Sequence, residues 1–148
     1  MLLYRHGAHT VYDLKYHIVW TTKYRKPILN ARIAIRVREL IREICRVHNI
    51  TIIKGHVSKD HVHLFVSVPP SLSISKITQL FKGKTSRKLL EEDKQLSKQY
   101  WGQHLWARGY FAVSSGTVTD EAIMEYIKHQ DEDEDKRGDS FTVLNSGL

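Results

Sequence analysis

Two runs with the period of a strand stand only three residues apart in this chain. Residues 50–57 and 61–68 are separated by Ser58-Lys59-Asp60. So short a connection leaves room for a turn and nothing else, so the two runs are predicted to pair antiparallel as a hairpin. In the second run Val62, Leu64, Val66 and Val68 fall on one face, and His61, His63, Phe65 and Ser67 on the other. Pro69-Pro70 stops it. A lone hairpin is marginal in water, so the rest of the chain must supply further strands and a layer to cover them.

It does so in a regular order. Residues 10–22 alternate: Leu14, Tyr16, Ile18 and Trp20 point one way and Asp13, Lys15, His17 and Thr21 the other, with Val19 breaking the pattern. Lys23-Tyr24-Arg25-Lys26 and Pro27 follow. Over residues 29–48 the spacing of Ile33, Val37, Leu40, Ile41 and Ile44 is helical, with arginines and glutamates between them and Asn49 as a stop. Ser73 is suited to cap a second helix running to about Leu90, whose later half is basic; residues 91–99 extend it or form another short helix. Residues 101–108 follow no period. Residues 110–115 read as a fourth strand. Thr119 can cap a last helix through Ile123, Tyr126 and Ile127 to about Gln130, with Asp120 and Glu121 where the helix dipole favours acids. The order β-α-β-β-α-(α)-β-α predicts an α+β, ferredoxin-like fold, a central antiparallel sheet with flanking helices. We expect one domain over residues 1–130 and a mobile acidic tail over 131–148.

Composition narrows the partners. Six acids and two bases in residues 131–148 give that segment a net charge of −4, so of the overall +7 the body carries +11. A basic body favours polyanions, with nucleic acid the foremost class. Cys45 is the only cysteine, so neither an intrachain disulfide nor a multi-cysteine zinc motif is possible. No stretch is apolar enough to span a membrane, and the first nine residues lack the core of a signal peptide, so a cytoplasmic protein is expected.

The chemistry-bearing segment is Asp60-His61-Val62-His63-Leu64. His-x-His on a strand puts both imidazoles on one face, their Cα atoms about 6–7 Å apart. Such a pair can converge on one metal ion, with Asp60 orienting a ring from behind. It can equally sit on a solvated sheet face. Tyr126 and Gln130, at i and i+4, share a helix face. A metal on the Gln130 amide oxygen would lie near the Tyr126 hydroxyl; the plainer alternative is a core aromatic beside a surface amide.

The set of features resembles the HUH nucleases, named for His–hydrophobic–His. Among these it is similar to the single-tyrosine transposases of the smallest bacterial and archaeal insertion sequences, the "IS two-hundred/six-oh-five" group. Lys15-Tyr16-His17-Ile18-Val19-Trp20 with Lys23-Tyr24-Arg25 resembles that family's first strand and loop. Lys59 to Leu64 resembles its metal strand, and Phe81-Lys82-Gly83 with Ser86-Arg87 its second helix. Leu105-Trp106 and Tyr110-Phe111 resemble the approach to its last strand, and Tyr126-Ile127-x-x-Gln130 its nucleophile helix. The ordered matches span residues 10–130.

The resemblance implies that His61, His63 and Gln130 bind Mg²⁺ or Mn²⁺ and that Tyr126 attacks a phosphate of single-stranded DNA. His129 is a rival ligand. The products are a 5′-phosphotyrosine and a free 3′-hydroxyl, and a later 3′-hydroxyl attack rejoins DNA without ATP. It further implies recognition of DNA hairpins at an element's ends and a homodimer in which the tyrosine helix of one subunit serves the other's histidines, with Ser114-Ser115-Gly116-Thr117 as the joint. Lys23, Tyr24, Arg25, Lys26, Lys82, Lys84, Arg87 and Lys88 are the candidate DNA contacts. Other readings are a domesticated relative acting on chromosomal palindromes, a module that binds single strands without cutting, and a metal-dependent hydrolase using water.

Overall fold

Alternation along residues 14–21 is sustained because one face of this strand meets a thick helical layer. The computed structural model describes residues 4–99, 104–114 and 120–137, with 120 and 131–137 described by backbone alone. A short hairpin, β1 (Arg5–His6) and β2 (Val11–Tyr12), comes first. Then follow β3 (Leu14–Thr21), a 3₁₀ turn (Lys23–Arg25), α1 (Ala31–Val47), β4 (Thr51–Val57), β5 (His61–Val68), α2 (Ile74–Glu92), α3 (Lys94–Gln99), β6 (Phe111–Ser114) and α4 (Asp120–Arg137). Strands β3 to β6 form one antiparallel sheet in the order β4-β5-β3-β6, the ferredoxin-like arrangement expected from the sequence. Among the described residues no helix is long and apolar enough to cross a membrane.

One face of the sheet carries the main core. Ile18 and Trp20 of β3 and Val62, Leu64, Val66 and Val68 of β5 pack with the apolar stripes of α1 and α2. Asn30 caps α1, its side-chain oxygen accepting from the Ile33 N–H at 3.0 Å, and Asn49 ends the helix in the left-handed conformation with φ 57°. Ser73 caps α2 by accepting from the Lys76 N–H. Trp20 stacks on Phe81, and Trp106 meets Trp20 edge-on while its Nε1–H donates to Thr85 Oγ1 at 2.9 Å. The segment without a period, 105–109, is thus a strap held by α2 and by the backbone of residues 21–23.

Two sequence expectations need adjustment. The strand expected over 10–22 is divided at Asp13, and its first part turns back to pair with residues 5–6. Arg5 ties that hairpin to the sheet by donating to the carbonyls of Ser67 and Asn49. The last helix does not stop near Gln130; its backbone continues to Arg137. No Pro or Gly interrupts the sequence before Gly138, and Lys136 and Arg137 fall in the final turn, where the helix dipole favours cations. Thr119 and residues 115–117, expected as cap and joint, lie outside the described residues, as does the tail from 138.

Candidate active site

The opposite sheet face carries the histidines, and the register fixes their neighbours. On β3, Thr21 stands opposite His61, Val19 opposite His63 and His17 opposite Phe65. His56 on β4 stands opposite His63. Directly opposed residues share a face. His17, His56, His61 and His63 therefore lie on one side of the sheet.

Helix α4 covers part of this side. Val19, the residue that interrupted the alternation of β3, is fully buried in a second cluster with Phe111, Ile123, Tyr126 and Ile127. The irregularity thus has a physical cause: an apolar residue on the histidine face is the seat of α4. Tyr126 is 1% exposed and its ring lies 5.8 Å from that of Phe111. Gln130, one turn further on, is 2% exposed. The candidate nucleophile helix lies on the same face of the sheet as the candidate metal-binding histidines, seated on a β3 residue that pairs with His63.

A relay of charges orients His61. Asp60, nearly buried, receives Arg25 Nε on Oδ2 at 3.0 Å, and its Oδ1 lies 2.9 Å from His61 Nδ1. A carboxylate can only accept there, so Nδ1 carries the proton and Nε2 presents its lone pair on the other side of the ring. Arg25 reaches Asp60 from the 3₁₀ turn, where Tyr24 and Arg25 both hold positive φ, 58° and 51°. Left-handed backbone at two successive side-chain-bearing residues is costly and is kept where the surroundings enforce it. His63 has a neighbour that the sequence did not reveal: His17 Nδ1 lies 3.2 Å from His63 Nε2, and the His17 ring stacks on Phe65 at 4.2 Å. Burial lowers the His17 pKa below its ordinary value. A cation on His63 Nε2 would replace this contact. The period of β3 put His17 on the polar face, but only the β3–β5 register brings it to His63.

The donor set fits a hard or borderline divalent cation. Gln130 Oε1 is a buried acceptor with no hydrogen-bond partner among the described residues, an expensive state for an amide oxygen. Two imidazole nitrogens and one amide oxygen suit Mn²⁺ or Mg²⁺ with open positions for oxygen ligands. Among the described residues no three His, Cys, Asp or Glu side chains form a metal-holding group.

The candidate DNA contacts divide. Tyr24 is 38% exposed with Lys23 Nζ 5.5 Å from its ring centre, and Lys26 and Arg87 are exposed. Lys82 instead donates to the carbonyls of Ala107 and Gly109 at 2.8 Å each, and burial lowers its pKa to about 8. It clamps the strap. Lys84 pairs with Glu43 of α1 at 2.8 Å, and Lys88 stands 3.9 Å from Glu91.

Comparison with known proteins decides the family. The model of the family described as "Transposase IS200 like" matches residues 10–130. The transposase of insertion sequence IS200 from Salmonella typhimurium is 35% identical over 140 residues, covering 95% of this chain and 91% of that protein. This chain belongs to the IS200-like transposase family. The ISDra2 transposase TnpA of Deinococcus radiodurans is 31% identical over 128 residues, covering 86% of this transposase and 91% of its relative. A crystal structure of a candidate transposase from Deinococcus radiodurans superposes with a TM-score of 0.76 at 29% identity, covering 85% of this chain and 97% of that one. A REP-associated tyrosine transposase bound to a REP hairpin shares the fold, with a TM-score of 0.54 at 14% identity, covering 95% of this chain and 76% of that one.

Proposed function

We propose that this IS200-like transposase binds hairpins at the ends of a mobile element as single-stranded DNA, cuts beside them through Tyr126 and rejoins the strands. The observation that carries the reading is the packing of α4 on the histidine face: Tyr126 packs with Val19 on the side of the sheet that holds His61 and His63, and Gln130 is buried one turn further along the helix. The relatives that are insertion-sequence transposases at 31–35% identity support a mobile-element role.

His61, His63 and Gln130 would hold Mg²⁺ or Mn²⁺. Bound beside the scissile phosphate, such an ion stabilises the charge that develops on its oxygens. An ordinary tyrosine, with a pKa near 10, is only about one part in a thousand phenolate at pH 7. Tyr126 Oη forms a bond to phosphorus as the bond from phosphorus to the 3′ oxygen breaks. The phenol loses its proton and the departing 3′ oxygen gains one. The phosphodiester energy is conserved in the protein–DNA bond, so a 3′-hydroxyl can reverse the step. The Arg25–Asp60 pair holds the His61 tautomer throughout.

The protein works as a homodimer in this proposal. Tyr126 is too buried in its own chain's dock for a DNA phosphorus to reach it. Helix α4 therefore shifts from that seat before Tyr126 reacts, and in a homodimer it would present the tyrosine to the partner subunit's histidines.

The test uses labelled single strands bearing a hairpin, incubated with Mg²⁺ or Mn²⁺. The expected product is a denaturation-resistant protein–DNA adduct that Tyr126→Phe abolishes. Cleavage that persists in Tyr126→Phe would assign water as nucleophile, and binding without cleavage on a natural end would assign a non-catalytic module.

A further inference from the structure

The two histidines of β5 are prepared differently. Asp60 fixes the proton of His61 on Nδ1, which leaves Nε2 as a lone pair. At His63 the ligand nitrogen itself is engaged, by His17 Nδ1 at 3.2 Å. One of these two imidazoles donates and the other accepts. Whichever way round, His63 Nε2 carries either a proton or an occupied lone pair, and neither can hold a cation.

The His17 ring is held where it stands. It lies between Phe65 and Val113 of the neighbouring strands and stacks on Phe65, with centroids 4.2 Å apart and planes 10° from parallel. Along β5 the order is His61, His63, Phe65, so His17 sits on the side of His63 away from His61. The contact therefore draws Nε2 away from the imidazole with which it would share a cation. Bonds from imidazole nitrogen to such a cation are about 2.1 Å long. On the 3.2 Å line from Nε2 to His17, a cation would stand only about 1 Å from Nδ1, so the contact and the cation exclude each other. Nor are the two rings set as a chelate. A hydrogen bond aims one nitrogen at the other, whereas two ligands of one cation aim at a shared third point.

We propose that His17 is a positioning residue for the metal site: it parks the His63 ring away from His61, and a divalent cation has to displace it from Nε2 in order to bind. This rests on the reading of His61 and His63 as ligands of that cation. Parking gives a half-buried nitrogen a partner whenever no cation holds it. It also makes loading cost one hydrogen bond, so His17 lowers the affinity of the site. The exchange needs a turn of side chains only, and the β3–β5 register is unchanged by it.

The experiment titrates Mn²⁺ calorimetrically into chelator-treated wild type, His17→Phe, His56→Gln and His61→Ala. Phenylalanine at 17 keeps an aromatic ring beside Phe65 and removes the nitrogen. His56 is the other imidazole opposite His63, exposed on β4. His17→Phe is expected to bind Mn²⁺ about 2–10-fold more tightly than wild type, the equivalent of one net hydrogen bond that no longer has to be broken. His56→Gln is expected to match wild type. Unchanged affinity in His17→Phe, or an equal gain in His56→Gln, overturns the proposal. Weaker binding by His17→Phe overturns it too, since His17 would then be a ligand or a support of the site. If His17→Phe fails to fold, wild type carrying ¹⁵N-histidine is titrated with diamagnetic Zn²⁺. The His63 Nε2 resonance is expected to move to that of a ligated nitrogen while His17 Nδ1 loses its partner and stays unligated. A ligated His17, or a His17 signal that does not respond, overturns the proposal. Mn²⁺ binding by His61→Ala equal to that of wild type would defeat the metal reading itself, a result separable from these because His17 is intact in that variant.

Discussion

Asp60 divides its two carboxylate oxygens between Arg25 and His61. Its removal frees the imidazole to rotate and to change tautomer, while the ring itself stays in place. Partners of this kind, one step behind a metal ligand, are typically worth about 10–100-fold in metal affinity. Asp60→Ala is therefore expected to weaken Mn²⁺ binding by that order in a calorimetric titration, with hairpin binding in chelator unaffected. Mn²⁺ affinity equal to wild type would show that Asp60 only anchors the 3₁₀ turn. At this scale the sequence was partly legible. The Asp60–His61 contact joins adjacent residues and could be anticipated. Arg25, read as a DNA contact, was not assignable to Asp60, because a left-handed turn brings it back and a one-dimensional pattern contains no such bend. Lys82 shows the same limit: a lysine in a basic run reads as solvated, yet two carbonyls twenty-five and twenty-seven residues away hold it.

Helix α2 contains a glycine with no packing reason to be one. A Cβ at Gly83 would meet nothing within 4 Å, although the residue sits in the middle of a 19-residue helix. Glycine there costs roughly 0.5–1 kcal/mol relative to alanine. Gly83→Ala is expected to raise stability by that amount, about 1–4 °C in melting temperature for a domain of this size. An unchanged or lowered melting temperature would contradict the open surroundings. Elements with strong period were readable in advance: β3, α1, β4, β5 and α2 lie close to where alternation and helical spacing put them. Two-residue strands such as β1 and β2 have no period to detect, and the strap at 105–109 is defined by backbone partners distant in sequence. The mismatch at Val19 was visible, but its meaning was not. A strand face that turns apolar at one position announces a partner without naming it, and here the partner is α4, about a hundred residues on.

For the molecule as a whole, the question is whose histidines Tyr126 serves. Within one chain, α4 docks on its own sheet with Tyr126 almost wholly buried. In the proposed reaction, a tyrosine so placed has to be exposed by movement of the helix before it meets DNA. In a two-fold dimer each α4 faces two equivalent sheets, its own and its partner's. Coexpression of a Tyr126→Phe chain with a differently tagged His61→Ala/His63→Ala chain separates the alternatives. If α4 serves the partner, a mixed dimer has one site with both histidines and a tyrosine, and the other site has neither. Random mixing then gives about a quarter of the wild-type adduct, since half the dimers are mixed and each has one live site of two. The captured DNA should sit only on the tag of the histidine-deficient chain, which owns the intact tyrosine. If α4 serves its own sheet, both sites in the mixed dimer are dead and neither tag captures DNA. Each chain alone must be inactive for the comparison to hold, which the single-variant preparations check directly.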